Sequence, residues 1–159
     1  MATKDRITCH VLDTTEGKPA RGMRVRLELT PTPALPSSSS ATAAPSASTA
    51  AAITHHHAAP APREFESQTD EDGRIKAWLP YSSATSSGEV PVYTLEDVLG
   101  ALDVDTPSRW TLRFDTAGYF GEDKTFFPEV AVVFRVEPGA TYHVPLLLSP
   151  YSYTTYRGS

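Results

Sequence analysis

Apolar and polar residues alternate with a period of two along much of this chain, which predicts short β-strands with one buried face. In the segment 6–12, Ile7, Cys9 and Val11 share one face and His10 lies on the other. The same alternation predicts eight strands, at residues 6–12, 23–29, 63–69, 75–79, 109–116, 129–136, 141–148 and 151–156. Short strands separated by turn residues are typical of an all-β, two-sheet β-sandwich, here with one or two short helices.

The apolar strand faces form the predicted core. In the segment 141–148, His143 points away from this core. The inward-facing set on that strand is Tyr142, Val144, Leu146 and Leu148. Cys9 is the single cysteine of the chain, which excludes an internal disulfide and fits a reducing compartment. We interpret Cys9 as a small core residue rather than as a reactive thiol.

Two long segments interrupt the strand pattern. Residues 30–62 carry no charged side chain other than histidine and consist mainly of Ala, Ser, Thr and Pro. Such a composition buries too little apolar surface to offset the entropy of ordering, so we expect a disordered, low-complexity insertion. Residues 80–108 form a longer loop, in which Thr94 is placed to cap a short helix. The length of 159 residues fits one domain, residues 1–159, around these interruptions.

Two tight turns are predicted from their composition. The stretch 14–19 contains the glycine and proline of a turn. Residues 70–74 contain an Asp-Gly pair, and the glycine supplies the left-handed conformation that a hairpin between the segments 63–69 and 75–79 requires.

Composition excludes several classes of function. The formal net charge is −5 and the sequence pI is about 5.5, so the chain lacks the basic character of a nucleic-acid-binding protein. No run approaches the ~18 consecutive apolar residues of a membrane-spanning helix, so we expect no membrane partner. The chain begins directly with strand-like residues, so we expect no secretory signal.

Candidate chemistry lies on the outward strand faces. His10 and His143 both point away from the predicted core, beside Leu12, Pro145 and Leu147. An apolar outer face that carries imidazoles is typical of a ligand groove or an interface. The two histidines are therefore the first candidates for a functional site.

The closing residues Tyr156-Arg157-Gly158-Ser159 follow an apolar, β-rich run with no polar tail. Terminal residues usually fray unless other contacts hold them. We therefore expect this ending to be held in place. It would bring a phenol, a guanidinium, a hydroxyl and the carboxylate of Ser159 to a site.

No metal site is expected from the sequence. The run His55–His57 lies in the low-complexity insertion, and consecutive histidines in a flexible loop form no preorganised site. The acidic run at residues 70–72 resembles the start of a calcium loop, but the downstream ligands are missing.

Six stretches of the sequence share a pattern with one known family. They are Cys9-His10-Val11-Leu12-Asp13-Thr14, Gly17-Lys18-Pro19-Ala20, Thr69-Asp70-Glu71-Asp72-Gly73-Arg74, Phe126-Phe127-Pro128-Glu129-Val130, His143-Val144-Pro145-Leu146-Leu147-Leu148-Ser149-Pro150 and Tyr156-Arg157-Gly158-Ser159. In these residues the chain resembles the 5-hydroxyisourate hydrolases, the purine-catabolic branch of the transthyretin-like family. The closing tetrapeptide is the most specific of the six.

The resemblance implies a transthyretin-like sandwich that assembles as a homotetramer, with its sites in a central channel. It implies a hydrolase of urate catabolism that converts 5-hydroxyisourate to 2-oxo-4-hydroxy-4-carboxy-5-ureidoimidazoline with no cofactor. It also implies the site residues. The catalytic groups would be His10, Arg74, His143 and Ser159, and Tyr156 and Arg157 would bind substrate together with His10 and Arg74.

These residue types suit the implied chemistry. An imidazole titrates near neutrality and activates water by accepting its proton. The guanidinium of Arg74 would stabilise the negative oxygen of a tetrahedral intermediate and bind ring carbonyls in a forked geometry. The Ser159 hydroxyl would hydrogen-bond the water or relay its proton. The sequence leaves open which of His10 and His143 is the base.

Two other functions stay open at this point. One is a non-catalytic carrier of small aromatic ligands, like transthyretin itself, although such carriers lack the first-strand histidine and the closing tetrapeptide. The other is an interaction module that presents the insertion 30–62. The ending differs from the Ser-Lys-Leu peroxisomal signal, so we expect residence in the cytoplasm, with the peroxisome as the alternative.

Overall fold

The computed structural model describes residues 3–31, 63–81 and 93–159. Apart from its first two residues, the insertion 30–62 lies outside these ranges, and so does the run His55–His57. The predicted disorder of the insertion and the assignment of the whole chain to one domain therefore stay predictions.

The described residues form two five-stranded β-sheets, two short α-helices and one 3-10 turn. The strands are β1 (Ile7–Asp13), β2 (Lys18–Pro19), β3 (Arg24–Thr30), β4 (Glu64–Gln68), β5 (Arg74–Ile75), β6 (Leu79–Pro80), β7 (Ser108–Phe114), β8 (Val130–Val136), β9 (Tyr142–Ser149) and β10 (Ser152–Thr155). The helices are α1 (Leu95–Ala101) and α2 (Thr116–Phe120), and the 3-10 turn is Glu122–Lys124. The first sheet has the order β10-β9-β1-β2, with β5 also paired to β1, and the second has the order β6-β4-β3-β7-β8. The predicted all-β, two-sheet architecture is confirmed.

The core is built from the apolar strand faces that the sequence predicts. Ile7, Cys9 and Val11 of β1 are fully buried, and β7 contributes Trp110 and Phe114, which are also fully buried. Burial of one such large apolar side chain contributes about 1.5–3 kcal/mol to stability. Because the core uses one face of each strand, the outer face of the first sheet is free to carry polar groups.

Strand register positions the candidate catalytic residues. β1 and β9 pair in parallel, with Thr8 opposite His143 and His10 opposite Pro145. At its other edge β1 pairs with β5, which places Arg74 opposite His10. Residues that lie opposite each other in neighbouring strands point to the same side of the sheet. The first sheet therefore gathers its polar side chains on one outer face.

Two predictions of local structure are wrong. The segment 75–79 is not one strand, because β5 and β6 belong to different sheets. Residues 70–74 consequently form a crossover between the sheets rather than a hairpin, although Gly73 does adopt the predicted positive φ, at 71°. The predicted turn 14–19 also contains β2, which pairs with the end of β1.

Trp78 accounts for the break between β5 and β6. Its backbone N–H donates to the Asp5 carboxylate at 2.8 Å, and its indole Nε1–H donates to the Ile7 carbonyl at 2.8 Å. The indole is buried. The chain therefore turns inward at residue 78, which a period of two does not predict.

The helices lie in the connecting segments. Thr94 caps α1 as predicted, and with Asp97 it forms a reciprocal pair of hydrogen bonds that satisfies two backbone N–H groups. α2 was not predicted as a separate element. It begins after Asp115, which accepts a hydrogen bond from the Gly118 N–H. Within the described ranges, no helix is long and apolar enough to cross a membrane.

Candidate active site

Three of the predicted catalytic residues lie together on the outer face of the first sheet. Strand pairing places Arg74 opposite His10, and the neighbouring strand carries His143. The imidazole rings of His10 and His143 stack, with their centroids 6.4 Å apart and 30° between their planes. Both histidines are half-buried. The pairing of three strands thus forms a compact group of two imidazoles and one guanidinium.

A hydrogen bond to Thr8 supports the His143 ring. Thr8 Oγ1 lies 2.9 Å from His143 Nδ1, and the Thr8 residue is only 2% exposed. Sequence analysis did not assign Thr8 to the site. The available signal was its position two residues before His10, because residues i and i+2 of a strand share a face.

The last described residues lie against the same histidine. The Gly158 N–H donates to the His143 carbonyl oxygen at 2.8 Å. The guanidinium carbon of Arg157 lies 5.2 Å from the centroid of the Tyr142 ring, within the range of a cation–π contact. The segment expected to be held in place is therefore attached to β9 by one backbone hydrogen bond and one ring contact.

A cleft of about 350 Å³ opens beside His143. Arg157 and Ser159 line this cleft together with His143. His10 and Arg74 do not line it, but the His10 ring stacks on the ring of His143, which does. Its other lining residues are Lys4, Asp5, Arg6, Thr8, Thr141, Tyr142 and Gly158. The Lys4 ammonium was missed by sequence analysis, since nothing in the pattern separates it from ordinary surface charge.

Tyr156 lies outside the cleft beside His143. It lines a neighbouring groove of about 420 Å³ together with Phe134 and Tyr142, and it is 57% exposed. His143 and Arg157 border both spaces. The role of Tyr156 in substrate binding therefore stays a prediction.

The surroundings of the two imidazoles lower the pKa of each from its ordinary value of 6.5. For His143, the causes are burial first and then the positive charges of Arg74, Lys4 and His10. For His10, burial and the charge of Arg74 lower the pKa, whereas a hydrogen bond to the Asp72 backbone and the carboxylates of Asp70 and Asp72 partly oppose them. Both rings are consequently neutral at neutral pH. A neutral imidazole has one nitrogen with a free lone pair, which a general base requires.

Cys9 lies directly beside His10 in sequence but takes no part in this group. Burial raises the pKa of its thiol to about 12, so the thiolate that a nucleophile requires is not formed near neutrality. The prediction that Cys9 is a core residue is confirmed. Across the described ranges, no group of three or more His, Cys, Asp or Glu side chains is arranged to hold a metal ion.

Fold and site together define a class of protein, a transthyretin-like β-sandwich that carries two stacked imidazoles and an arginine on the outer face of one sheet. The family model described as HIUase/Transthyretin matches residues 7–158. The chain belongs to this family. The resemblance inferred from the sequence motifs is thereby confirmed.

Similar proteins support this assignment. A 5-hydroxyisourate hydrolase of Mus musculus is 32% identical over 163 residues, and the alignment covers 100% of both chains. A probable 5-hydroxyisourate hydrolase of Schizosaccharomyces pombe is 31% identical over 160 residues, covering 96% of this chain and 90% of the relative.

Solved structures show the same fold. The 5-hydroxyisourate hydrolase of Klebsiella pneumoniae superposes with a TM-score of 0.53 at 21% identity, covering 96% of this chain and 98% of that chain. Sea bream transthyretin in complex with thyroxine gives a TM-score of 0.55 at 19% identity, covering 97% and 95%. An enzyme and a thyroxine-binding protein therefore share this sandwich, so the site residues have to decide the function.

Proposed function

We propose that this chain is an enzyme of urate catabolism that hydrolyses 5-hydroxyisourate to 2-oxo-4-hydroxy-4-carboxy-5-ureidoimidazoline. The observation that carries the proposal is the stacked pair of imidazoles, 6.4 Å apart and with Arg74 opposite His10 on the neighbouring strand, in a chain of the HIUase/Transthyretin family. The relatives from mouse and Schizosaccharomyces pombe, which align over nine-tenths or more of their length, carry the name of this activity.

The product defines the bond that breaks. It carries a carboxyl group and a ureido group, which are the two ends of a hydrolysed ring amide. A water oxygen bonds to the amide carbon while an imidazole nitrogen takes the water proton. The C–N bond then breaks, and its nitrogen takes that proton back from the imidazolium. One water molecule is consumed and the imidazole is regenerated.

Each side chain of the site has a part in this reaction. Arg74 stabilises the oxyanion of the tetrahedral intermediate, because its charge already acts on both imidazoles across this face. Ser159 and Arg157 line the cleft beside His143, where the Ser159 hydroxyl hydrogen-bonds the attacking water and Arg157 contacts the substrate. Tyr156 binds the substrate from the neighbouring groove.

The proposal includes a homotetramer, with the outer face of the first sheet lining a shared channel. The half-buried Leu12 and Leu147 on this face support it, because a partner sheet would cover them. Light scattering on the purified protein should give four times the chain mass of 17.2 kDa. A fully active monomer would contradict the channel. The proposed compartment is the cytoplasm, in keeping with the single, buried thiol.

A direct assay tests the enzymatic function. Urate oxidase generates 5-hydroxyisourate in the cuvette, and the decay of its absorbance is followed with and without the protein. Acceleration in proportion to protein concentration is the expected result. A decay rate that stays at the spontaneous value, together with stoichiometric binding of a planar urate analogue, would instead identify a carrier.

A further inference from the structure

The Thr8 hydroxyl has two neighbours and only one proton. Oγ1 lies 3.3 Å from the Tyr142 carbonyl oxygen and 2.9 Å from His143 Nδ1. A carbonyl oxygen can only accept a hydrogen bond, so both contacts of Oγ1 are hydrogen bonds at once only when the hydroxyl donates to Tyr142 and accepts from Nδ1. The lone pairs of Oγ1 then face the imidazole. They can accept a proton only if His143 carries it on Nδ1.

Burial makes this arrangement hard to replace. Thr8 is 2% exposed, so its hydroxyl has little access to water. A buried polar group that loses its hydrogen-bond partner destabilises the folded protein. The parallel pairing of β1 with β9 holds Thr8 directly opposite His143, so both ends of the hydrogen bond sit on rigid strands.

The protonation state of the ring completes the argument. Burial and the positive charges of Arg74, Lys4 and His10 lower the pKa of His143, so the ring is neutral at neutral pH. A neutral imidazole carries a single N–H. Among the hydrogen bonds of the described residues, the His143 side chain has only the one to Thr8.

We propose that Thr8 is a positioning residue that holds His143 as the Nδ1–H tautomer, so that Nε2 is the nitrogen that accepts the water proton. The use of Nε2 rests on the proposed hydrolase function, whereas the tautomer itself does not. Nε2 neighbours the ring carbon Cδ2, which lies against Gly158, and Ser159 follows in the same cleft. The free lone pair thus belongs to the edge of the ring that faces the closing residues.

Nitrogen NMR of the full-length protein reads the tautomer without substrate. With ¹⁵N-histidine labelling, all 5 histidines of the chain give signals. The signals that are missing from the spectrum of His143→Asn belong to His143. In the wild type we expect a protonated Nδ1 and an unprotonated Nε2. In Thr8→Val, which keeps the branched shape but has no acceptor, we expect a mixture of tautomers. A wild-type ring protonated on Nε2 would overturn the proposal.

Kinetics test the consequence for catalysis. Thr8→Val should lower kcat by roughly 10–100-fold and leave KM nearly unchanged. The effect should be smaller than in enzymes where a carboxylate orients the catalytic histidine and is removed. Thr8→Ser keeps the hydroxyl and should restore both the tautomer and most of kcat. The matched control is Thr111→Val, a threonine of the second sheet that is 3% exposed and hydrogen-bonded to Thr30. It should leave both readouts unchanged.

The outcomes separate the two proposals. Thr8→Val with wild-type kcat and an unchanged tautomer would overturn the positioning role, and so would a folded Thr8→Ser that fails to restore kcat. If Thr8→Val does not fold, the wild-type tautomer and Thr8→Ser decide the role of Thr8. A wild type with the Nδ1–H tautomer but no hydrolase activity would support the assignment of Thr8 and reject the proposed function.

Discussion

Gly158 lies in direct contact with His143. Its N–H donates to the His143 carbonyl, and a β-carbon added to Gly158 would lie 2.7 Å from the ring carbon Cδ2 and 2.9 Å from the carbonyl oxygen. Both distances are shorter than a carbon atom tolerates. The closing residues therefore reach the imidazole only because this position has no side chain.

The first prediction concerns this contact. Gly158→Ala should displace the segment 157–159 and lower kcat/KM about tenfold or more, because Ser159 would leave the cleft. The melting temperature should change little, since these residues lie largely at the surface. Gly100→Ala is the control, because a β-carbon there meets nothing within 4 Å. Full activity in Gly158→Ala would show that the closing segment is not part of the site.

The second prediction concerns pH. Both imidazoles must be neutral to accept a proton, and the pKa of each is lowered below 6.5 by burial and Arg74. The acidic limb of kcat/KM should therefore have its midpoint below pH 6.5, with full activity above it. Below pH 6.5 these two histidines bind more protons in the unfolded chain than in the folded protein. Their contribution to the free energy of unfolding should therefore fall as the pH drops below 6.5. A midpoint clearly above 6.5 would contradict the described surroundings of the rings.

The third prediction separates the charge of Arg74 from its shape. Arg74→Lys keeps the positive charge but loses the planar fork, so kcat/KM should fall by roughly 10–100-fold while the acidic limb stays in place. Arg74→Met also loses the charge, and it should raise the midpoint of the acidic limb towards 6.5. Arg24→Lys, an exposed position on the second sheet, is the control. If Arg74→Lys is as active as the wild type, Arg74 acts only through its charge.

The fourth prediction concerns the insertion. β3 and β4 pair antiparallel, and the Leu29 N–H donates to the Arg63 carbonyl at 3.0 Å, so the two ends of the insertion already lie side by side. Deletion of residues 34–62 leaves a short connection between these strands and should preserve folding and activity, because closure entropy changes slowly with loop length. Circular dichroism and the decay assay check this. A folded but inactive deletion variant would give the insertion a part in the site.

The alternation of apolar and polar residues along the strands predicted much of the fold and the two histidines of the site. The facing of His10 and His143 follows from a period of two, and the structure confirms that both lie on the outer face of the first sheet. The pattern could not show which strands are neighbours. The parallel pairing of β1 with β9 and the buried indole of Trp78 depend on contacts between residues far apart in the chain.

The same limitation explains why the hydrogen bond of Thr8 was missed. A threonine in a strand is ordinary, and its role appears only when the register places it opposite His143. The contact of Gly158 with the His143 ring likewise joins residues that are distant in the sequence, so no local pattern predicts it. Arg74 was identified through family motifs alone, because an arginine after a turn glycine reads as surface charge.

If His10 and His143 activate water, the loss of either imidazole slows the hydrolysis of 5-hydroxyisourate. The rate of 5-hydroxyisourate decay is measured at equal concentrations of folded wild type, His10→Asn and His143→Asn, with His56→Asn from the insertion as the matched control. Each site variant should be slower by roughly 10²–10⁴-fold, as is typical for the loss of an acid–base group, and the control should match the wild type. Wild-type decay rates in both folded site variants would show that neither imidazole activates water.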